Sequence, residues 1–588
     1  MPEIARRPRA GAEPRQLSLV AVREEDLESP SREKAGAVPG PARAAKAAGG
    51  VEPPPARPDS EPAARAHESG RRETAESMAA RQREISVSEF FTKNRHLLGF
   101  DNPQKALLTA IKEAVDNSLD ACEEAGILPV LKVDIQQLAE DRFRIAVEDN
   151  GPGIVKAQVP KIFGKLLYGS KFHTLKQARG QQGIGISAAG MYGLLTTGKS
   201  VVVLSRTGQG KPAHYYEIQI DTRKNAPQII VDEVRDWEPA HGTRVEIELV
   251  GTYKKGRHSV DDYVRQTAIA NPHCEIFYSF PGGEAPQQFP RATGTLPPEP
   301  REIKPHPYGV ELGALIKMLK ETRARNLAGA MQHDFSRVSS RVAGEICQAA
   351  QLRPSANPHS IAVNEAERLY KAINSVKIMS PPTSCLSPIG EEQILSGMKK
   401  EIPAAFFTAI TRSPAVYRGN PFQIEVGMGY GGELPSDDLV DVLRFANRVP
   451  LQYQQSACAI TKAVLSIDWR SYGLSMAKGA LPAGPMVLFV HIASVWVPFT
   501  SESKEAIAGY PEIMKELRLA LQDCGRKLGA HIRAHRREAE EEKKKSYIER
   551  YIPHIGIALR EILDLPEKVE AELVTTLREV LERSRMPH

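Results

Sequence analysis

Three short segments in the first half of the chain carry residue types that could do chemistry together. In EAVDNSLDA, Glu113 and Asn117 stand four residues apart, as do Asp116 and Asp120. On a helix that spacing puts each pair on one face. Acidic and amide groups turned toward one cleft suit a hard cation and a water that must be oriented or deprotonated; a solvated polar face would look the same. In EDNGPGI, Asp149 follows an apolar run and precedes Gly151 and Gly153. A plain turn explains this pattern. So does a carboxylate that accepts a hydrogen bond from a ligand such as an adenine amino group, with glycines that let the backbone approach the base. In RGQQGIGISAAG, Arg179 to Gly190, three glycines (Gly180, Gly183 and Gly185) open a helix-like segment. Bare N–H groups at a helix start form an anion site.

A fourth segment imitates a nucleotide motif. GLLTTGKS, Gly193 to Ser200, fits G-x-x-x-x-G-K-[ST] in full. That loop works only after a strand and before a helix. Here helical ISAAGMY precedes it and strand-like SVVVLSR follows, so Gly198 is expected to be a helix-to-strand turn.

The elements that must position these groups follow from periodicity and punctuation. NPQKALLTAIKEAVDNSLDACEEAG predicts a helix capped by Asn102, with Pro103 in its first turn and Gly126 at its end. VSEFFTKN predicts another, and LKVDIQQL, FRIAVEDNG, VVVLSRT, HYYEIQID and TRVEIELV predict strands. These make a layered α+β domain over about 81–300. A Pro/Gly-rich stretch then leads into a mostly helical segment, about 301–380, with YGVELGALIKMLKET, FSRVSSRVAGEICQAAQL and NEAERLYKAINSV as its helices. Over about 381–510, FQIEVGMGY, AVLSIDW and the apolar run Met486 to Phe499 predict strands, while LVDVLRFAN and SKEAIAGY predict helices. From 511 to 588 runs a long charged helical pattern that ends in a shorter amphipathic piece, IGIALREILDL.

Composition narrows the setting. The 588 residues carry a formal charge of +6, which allows nucleic-acid binding without arguing for it. Six cysteines are scattered without a CxxC or Cys/His cluster, against a zinc site or disulfide framework and in keeping with a reducing cytoplasm. The longest apolar run falls short of the roughly 20 residues of a membrane span. Residues 1–80 are rich in Ala, Pro, Arg, Glu and Gly without periodic apolar positions, so they are expected to be a disordered tail, with Met78 as the expected true start.

Taken in order, the acid–amide helix, the Asp-x-Gly-x-Gly turn and the glycine loop closely resemble the ATPase superfamily of gyrase, heat-shock chaperones and sensor histidine kinases. The resemblance is closer still to one family. ISVSEFFTKNRHLLGF, LLYGSKFHTLKQARGQQGIGISAAG, FSRVSSRVAG, VYRGNPFQIEVGMGYGG and RFANRVPLQY resemble the DNA topoisomerase VI B-subunit family, the ATPase subunits of type IIB topoisomerases, from about Ile85 to the C-terminal region.

That resemblance implies a Bergerat-type ATPase α/β sandwich, a helix-two-turns-helix insert, a transducer with a βαβ crossover and a C-terminal stalk helix that docks on the DNA-cleaving A-subunit of topoisomerase VI. It implies ATP and Mg2+ as cofactors. Glu113 takes the place of the general base that activates water against the γ-phosphate, and Asn117 that of the magnesium ligand. Asp149 takes the place of the adenine reader, with Gly151 and Gly153 beside it and Thr243, in HGT, in support. Ser170 and Lys171 fall in the ATP lid. The run Gly180, Gln181, Gln182, Gly183, Ile184, Gly185, Ile186, Ser187 falls in the phosphate-binding loop. Lys504, in FTSESKEAI, matches the transducer lysine aimed at the γ-phosphate.

The implied partners are that cleaving subunit, in a heterotetramer of two A and two B subunits, double-stranded DNA, and a second copy of this chain in an ATP-dependent clamp, with no membrane. The implied activity is passage of one duplex through a double-strand break made by the cleaving subunit, which relaxes supercoils and decatenates DNA in the cytoplasm at the nucleoid. No segment resembles the cleavage machinery, so the chain is expected not to cut DNA alone. Three rivals are weaker, and a P-loop enzyme, with its inverted context, is a minor fourth: a chaperone would not carry the insert or the RFANRVPLQY segment, a histidine kinase offers only His67 in the tail as phospho-acceptor, and a non-enzymatic helical scaffold would leave the three nucleotide motifs unexplained.

Overall fold

The computed structural model describes residues 87–583, apart from 172, 173, 181, 182, 223, 502 and 565, together with 75, 78 and 79. The expected tail therefore lies almost wholly outside the described residues, and Gln181 and Gln182 lie outside them too.

The first region is a sheet layered with helices. Helix α1 (Val87–Lys93) leads to α2 (Pro103–Glu124), where the Asn102 side chain accepts from the Lys105 N–H and Pro103 sits in the first turn. Strands β1 (Val130–Ala139) and β2 (Arg142–Asp149) follow, then the short α3 (Val159–Gly164) and α4 (Gly185–Thr197). Then come β3 (Val201–Arg206), β4 (Ala213–Asp221), β5 (Ala226–Arg235) and β6 (Gly242–Val250). Helix α5 (Val260–Ala270), β7 (Glu275–Ser279) and β8 (Gln287–Phe289) complete the region. The strand order is β5-β4-β3-β6-β2-β1-β7-β8, with β1 and β7 parallel and the other pairs antiparallel. Leu107, Ile111 and Leu119 of α2 pack with Phe143, Ile145 and Ile247 of the sheet in one core. Because β2 ends at Asp149 in register with Thr243 of β6, Asp149 stands at the sheet's end, beneath the polar face of α2.

A helical segment follows, with its own core of Leu315, Leu319, Phe335, Ile346, Leu369 and Ile373. Its helices are α6 (Leu312–Glu321), α7 (Leu327–Asp334), α8 (Ser340–Ala349) and α9 (Val363–Ser375).

Helix α10 (Glu391–Glu401) opens the third region, followed by β9 (Phe406–Thr411), β10 (Ala415–Tyr417), β11 (Asn420–Tyr430), β12 (Asp441–Ala446), β13 (Val449–Pro450), α11 (Ala459–Leu465) and β14 (Met486–Ser494). The six strands form one sheet, in which β12 and β14 are parallel with α11 between them in sequence, so the expected βαβ crossover is present. Three readings of the sequence are corrected here. LVDVLRFAN is strand β12 rather than a helix: Val442 packs toward α11 while Leu443 and Phe445 pack toward α10, and burial on both faces erases the alternation that marks a strand. AVLSIDW contributes the end of α11 rather than a strand, and SKEAIAGY forms no helix.

Helix α12 (Pro511–Leu563) begins in the core of the third region through Ile513, Leu517, Leu521, Cys524 and Leu528, at helical spacing. It continues without a break through Pro553 and through IGIALREIL, so the piece read as separate belongs to the same helix. A further helix, α13 (Glu567–Arg583), folds back on it, held by an Arg560–Glu570 ion pair at 2.7 Å.

Candidate nucleotide site

Helix α2 turns a different face to each neighbour. Glu113 and Asn117 line a cavity of about 630 Å³, together with Ser118, Asp149, Gly153, Ser170, Lys171, Gly180, Gly183, Ile184, Gly185, Ile186, Thr243 and Lys504. Asp116 and Asp120 do not line it, which corrects the reading of all four polar groups in one cleft. At about 100° per residue Asp116 lies about 60° round from Glu113, while Asp120 lies nearly in line with Glu113 but two turns along. Asp116 is buried beside Tyr263, whose hydroxyl donates to it at 3.2 Å, and burial raises its pKa to about 7. Asp120 is engaged by Lys171 at 2.5 Å and Arg179 at 2.8 Å.

Asp149 is held from three sides. The N–H groups of Gly151 (2.9 Å) and Thr243 (3.2 Å) donate to one carboxylate oxygen, and the Ser118 hydroxyl donates to the other at 2.9 Å. Burial pushes its pKa up, and those donors moderate the rise. The HGT segment is shaped for this. The backbone of Gly242, at φ +137°, runs so close to the Asp149 carbonyl that no Cβ would fit. Gly153, at φ +69°, approaches the Arg206 carbonyl equally closely. Gly151 itself sits under Asp149 and does not line the cavity.

Opposite Asp149 lies the start of α4. Its first N–H groups have no partner within the helix and open on the cavity through Gly185 and Ile186. The Glu113 carboxylate lies where a Cβ on Gly185 would be, so the glycine here makes room for the acid. Gly180 faces the Asn117 side chain. Ser187 turns away: its hydroxyl lies 2.9 and 3.0 Å from the carbonyls of Ile162 and Lys165 and ties α4 to α3. Burial disfavours the charge on Lys171, but Asp120 and Glu124 outweigh it and raise its pKa.

Lys504 comes from the third region, with φ +54°, and reaches the same cavity. Its neighbour Glu505 is buried and ion-paired to Lys105 of α2 at 2.5 Å. Sequence reasoning missed that pair, as it missed Lys112, Gln158, Tyr168 and Ser118 of the lining. Ser118 alone carried a signal, its place directly after Asn117. Lys199 of the imitation P-loop is exposed, after a left-handed Gly198 that ends α4 and before β3, and does not line the cavity.

This arrangement, an acid–amide helix over an Asp-anchored sheet end and a glycine loop at a helix start, defines an ATP-binding domain of the class described as "Histidine kinase-, DNA gyrase B-, and HSP90-like ATPase", whose sequence model matches residues 102–250. A second model, "Topoisomerase VI B subunit, transducer", matches residues 381–545. The B-subunit of type 2 DNA topoisomerase 6 from Methanosarcina barkeri is 50% identical over 496 residues, 84% of this chain and 80% of that protein. Its counterpart in Archaeoglobus fulgidus is 47% identical over 488 residues, 83% of this chain and 81% of that one. The Natronomonas pharaonis protein is 35% identical, covering 86% of each.

The chain belongs to the type 2 DNA topoisomerase 6 B-subunit family. It is the ATP-binding subunit of a type II DNA topoisomerase, and neither the chaperone nor the P-loop reading is favoured. Among solved structures, the B-subunit of DNA gyrase from Myxococcus xanthus aligns with TM-score 0.36 and 11% identity over 75% of this chain and 95% of that one, a likeness too loose to bear on function. Among the described residues no helix is long and apolar enough to cross a membrane.

Proposed function

We propose that ATP binds in the cavity between α2 and the glycine loop, and that the chain uses it to drive a clamp around DNA. The observation that supports this best is that residues of two regions, Glu113 and Asn117 on one side and Lys504 on the other, line a single cavity. Asp149 and Thr243 would bind the adenine end, since Asp149 accepts on both oxygens and retains acceptor capacity toward the cavity. The N–H groups of Gly183 to Ile186 would bind phosphate oxygens. Asn117, exposed beside Gly180, would hold Mg2+, which when bound would neutralise phosphate charge. Glu113 would take a proton from the attacking water, and Lys504 would stabilise charge on the departing phosphate.

In this reading residues 81–300 form the ATPase domain, 301–380 the helix-two-turns-helix domain, 381–510 the transducer and 511–588 the stalk and the docking segment for the cleaving subunit. Two copies would close on ATP around one duplex within an A2B2 complex at the nucleoid, while the cleaving subunit opens another. ATP can drive closure only by contacting the closed state better than the open one.

The test is steady-state Mg-ATP hydrolysis with and without DNA. Glu113→Ala is expected to lose about 10²-fold or more, the scale of a general base, and Lys199→Ala to retain a near-normal rate. Loss of activity in Lys199→Ala with Glu113→Ala unaffected would overturn the site.

A further inference from the structure

The segment RFANRVPLQY has no task in the cycle just described, yet the structure gives it one. Strands β12 and β13 are joined by a two-residue turn, Asn447-Arg448, between the paired residues Ala446 and Val449. Both turn residues are left-handed, at φ +48° and +68°. Such a turn suits the twist of a hairpin, but its second position ordinarily favours glycine. An arginine there costs about 1 kcal/mol, so its side chain must be anchored.

The anchor is the root of the lid. The Asn447 amide donates to the Ala178 carbonyl at 3.0 Å. The Arg448 guanidinium donates to the Ser387 carbonyl and hydroxyl at 3.0 Å each and to the Pro388 carbonyl at 3.2 Å, and it faces Glu123 at 3.5 Å. Glu123 is shared. It also receives both terminal nitrogens of Arg179, at 2.8 and 2.6 Å, and His273 at 2.8 Å. Arg179 is the residue directly before Gly180, and its side chain is 4% exposed. The strip before it is stitched down as well. Leu175 accepts from Ile303, and Gln177 bonds Cys385 through its backbone and Ser387 through its amide.

The turn reaches the other way too. The Asn447 side chain accepts from the Ser494 N–H and donates to its carbonyl, both at 2.9 Å. Ser494 ends β14, the strand that leads toward Lys504. The Arg448 N–H donates to Nε2 of His491 at 3.0 Å, so the ring's proton sits on Nδ1 and points at Glu425, 2.8 Å away. One turn therefore touches the root of the phosphate loop and the strand that feeds the cavity lysine.

We propose that the Asn447-Arg448 turn is a second, nucleotide-responsive contact between the ATPase and transducer regions, and that Asn447 is a positioning residue for the phosphate loop through Ala178 and Arg179. This rests on the reading of the cavity as the ATP site. Nucleotide that settles on Gly180 and on Gly183 to Gly185 fixes the lid root. The lid root fixes the turn, and the turn fixes the end of β14. Lys504 is then not the sole line of communication.

The test uses the full chain. Asn447→Gly keeps the left-handed turn without strain but removes the amide. Asn447→Asp keeps an acceptor for the Ser494 N–H but can donate neither to Ala178 nor to the Ser494 carbonyl. Both are expected to raise the KM for Mg-ATP about fivefold, the size of the one hydrogen bond that reaches the phosphate loop at Ala178, while kcat changes less than twofold. A purely structural role would lower active fraction and kcat at unchanged KM. Independently of whether the variants fold, hydrogen exchange in wild-type residues 444–451 should slow when a non-hydrolysable ATP analogue binds. Unchanged KM in both variants, or exchange indifferent to the analogue, would overturn the proposal. If the wild type fails to bind the analogue at all, the ATP-site reading falls instead.

Discussion

Breaking the contact between Lys105 and Glu505 offers a direct probe of how Lys504 is aimed. Lys105 lies in the first turn of α2, with its ammonium 2.5 Å from Glu505 and 3.0 Å from Asp101; the Lys105 and Glu505 side chains are 11% and 7% exposed. The second Glu505 oxygen accepts from the Gln454 amide at 2.7 Å. Burial alone would lower the Lys105 pKa, yet the bonds to Glu505 and Asp101 raise it. The backbone of Lys504 is left-handed, so its loop is held by neighbours rather than by its own preference.

Removing one partner of a fully buried pair costs about 3–5 kcal/mol. Here Asp101 remains for the lysine and Gln454 for the glutamate, so a reasonable share felt by the loop is roughly 1.5–2 kcal/mol. At about 1.4 kcal/mol per tenfold, Lys105→Met and Glu505→Gln should each lower kcat/KM for ATP about 10- to 30-fold. The assay is a double-mutant cycle in kcat/KM, which needs no two-state unfolding of a multidomain chain. The double variant should be no worse than the poorer single variant within about twofold. In a Lys504→Ala background, Glu505→Gln should add nothing. Effects that multiply, in the pair or in that background, would refute the idea that the ion pair acts by placing Lys504.

Two further outcomes follow from the site. Gly185→Ala puts a methyl where the Glu113 carboxylate lies; a side chain forced off its rotamer by a few tens of degrees costs about 0.5–1.5 kcal/mol, so kcat should fall about threefold to tenfold while nucleotide binding holds, and an unchanged kcat would show that Glu113 is not constrained there. Asp116 has a pKa raised by burial to about 7 from an ordinary value of 3.8, so between those values the folded state holds a proton that the unfolded state has lost, and stability falls as pH rises through that window. Asp116→Asn mimics the protonated form and should flatten the fall in melting temperature between pH 5 and 8, whereas parallel pH profiles for wild type and variant would remove Asp116 as the cause.

What can be read from the sequence is local. Asn102 and Pro103 announce α2 because capping chemistry acts within one turn. The imitation P-loop fails on its neighbours, and Gly198 ends a helix at φ +71°. A strand with one covered face, such as β4, shows alternation. The failures have a common cause in burial from two sides. Strand β12 lies in a sheet with α11 packed on one face and α10 on the other, so its pattern has no period-two polar beat, and Asp441 and Arg444 fall three residues apart as they would on a helix. Glu505, Arg179 and Arg448 are silent for another reason: the bonds that define them span tens to hundreds of residues, as between Asn447 and Ala178, 269 residues apart. A lone charged residue in sequence does not say which carboxylate it will meet.

Helix α2 shows why the site and its coupling come together. Its apolar face, Leu107, Ile111 and Leu119, is committed to the sheet. That leaves two polar faces. Glu113 and Asn117 take the one over the cavity, while Asp120 and Glu123, further along and round, take the one against Arg179 and Arg448. A rigid helix cannot tilt one face without moving the other. Any displacement that nucleotide imposes near Glu113 must therefore appear at Glu123, where Arg179, directly before Gly180, and Arg448 of the transducer turn share one carboxylate. The first turn of the same helix carries Lys105, which grips the residue next to Lys504. Two ends of one helix thus hold two separate handles of the transducer, and a change that loosens only one handle should leave partial coupling through the other.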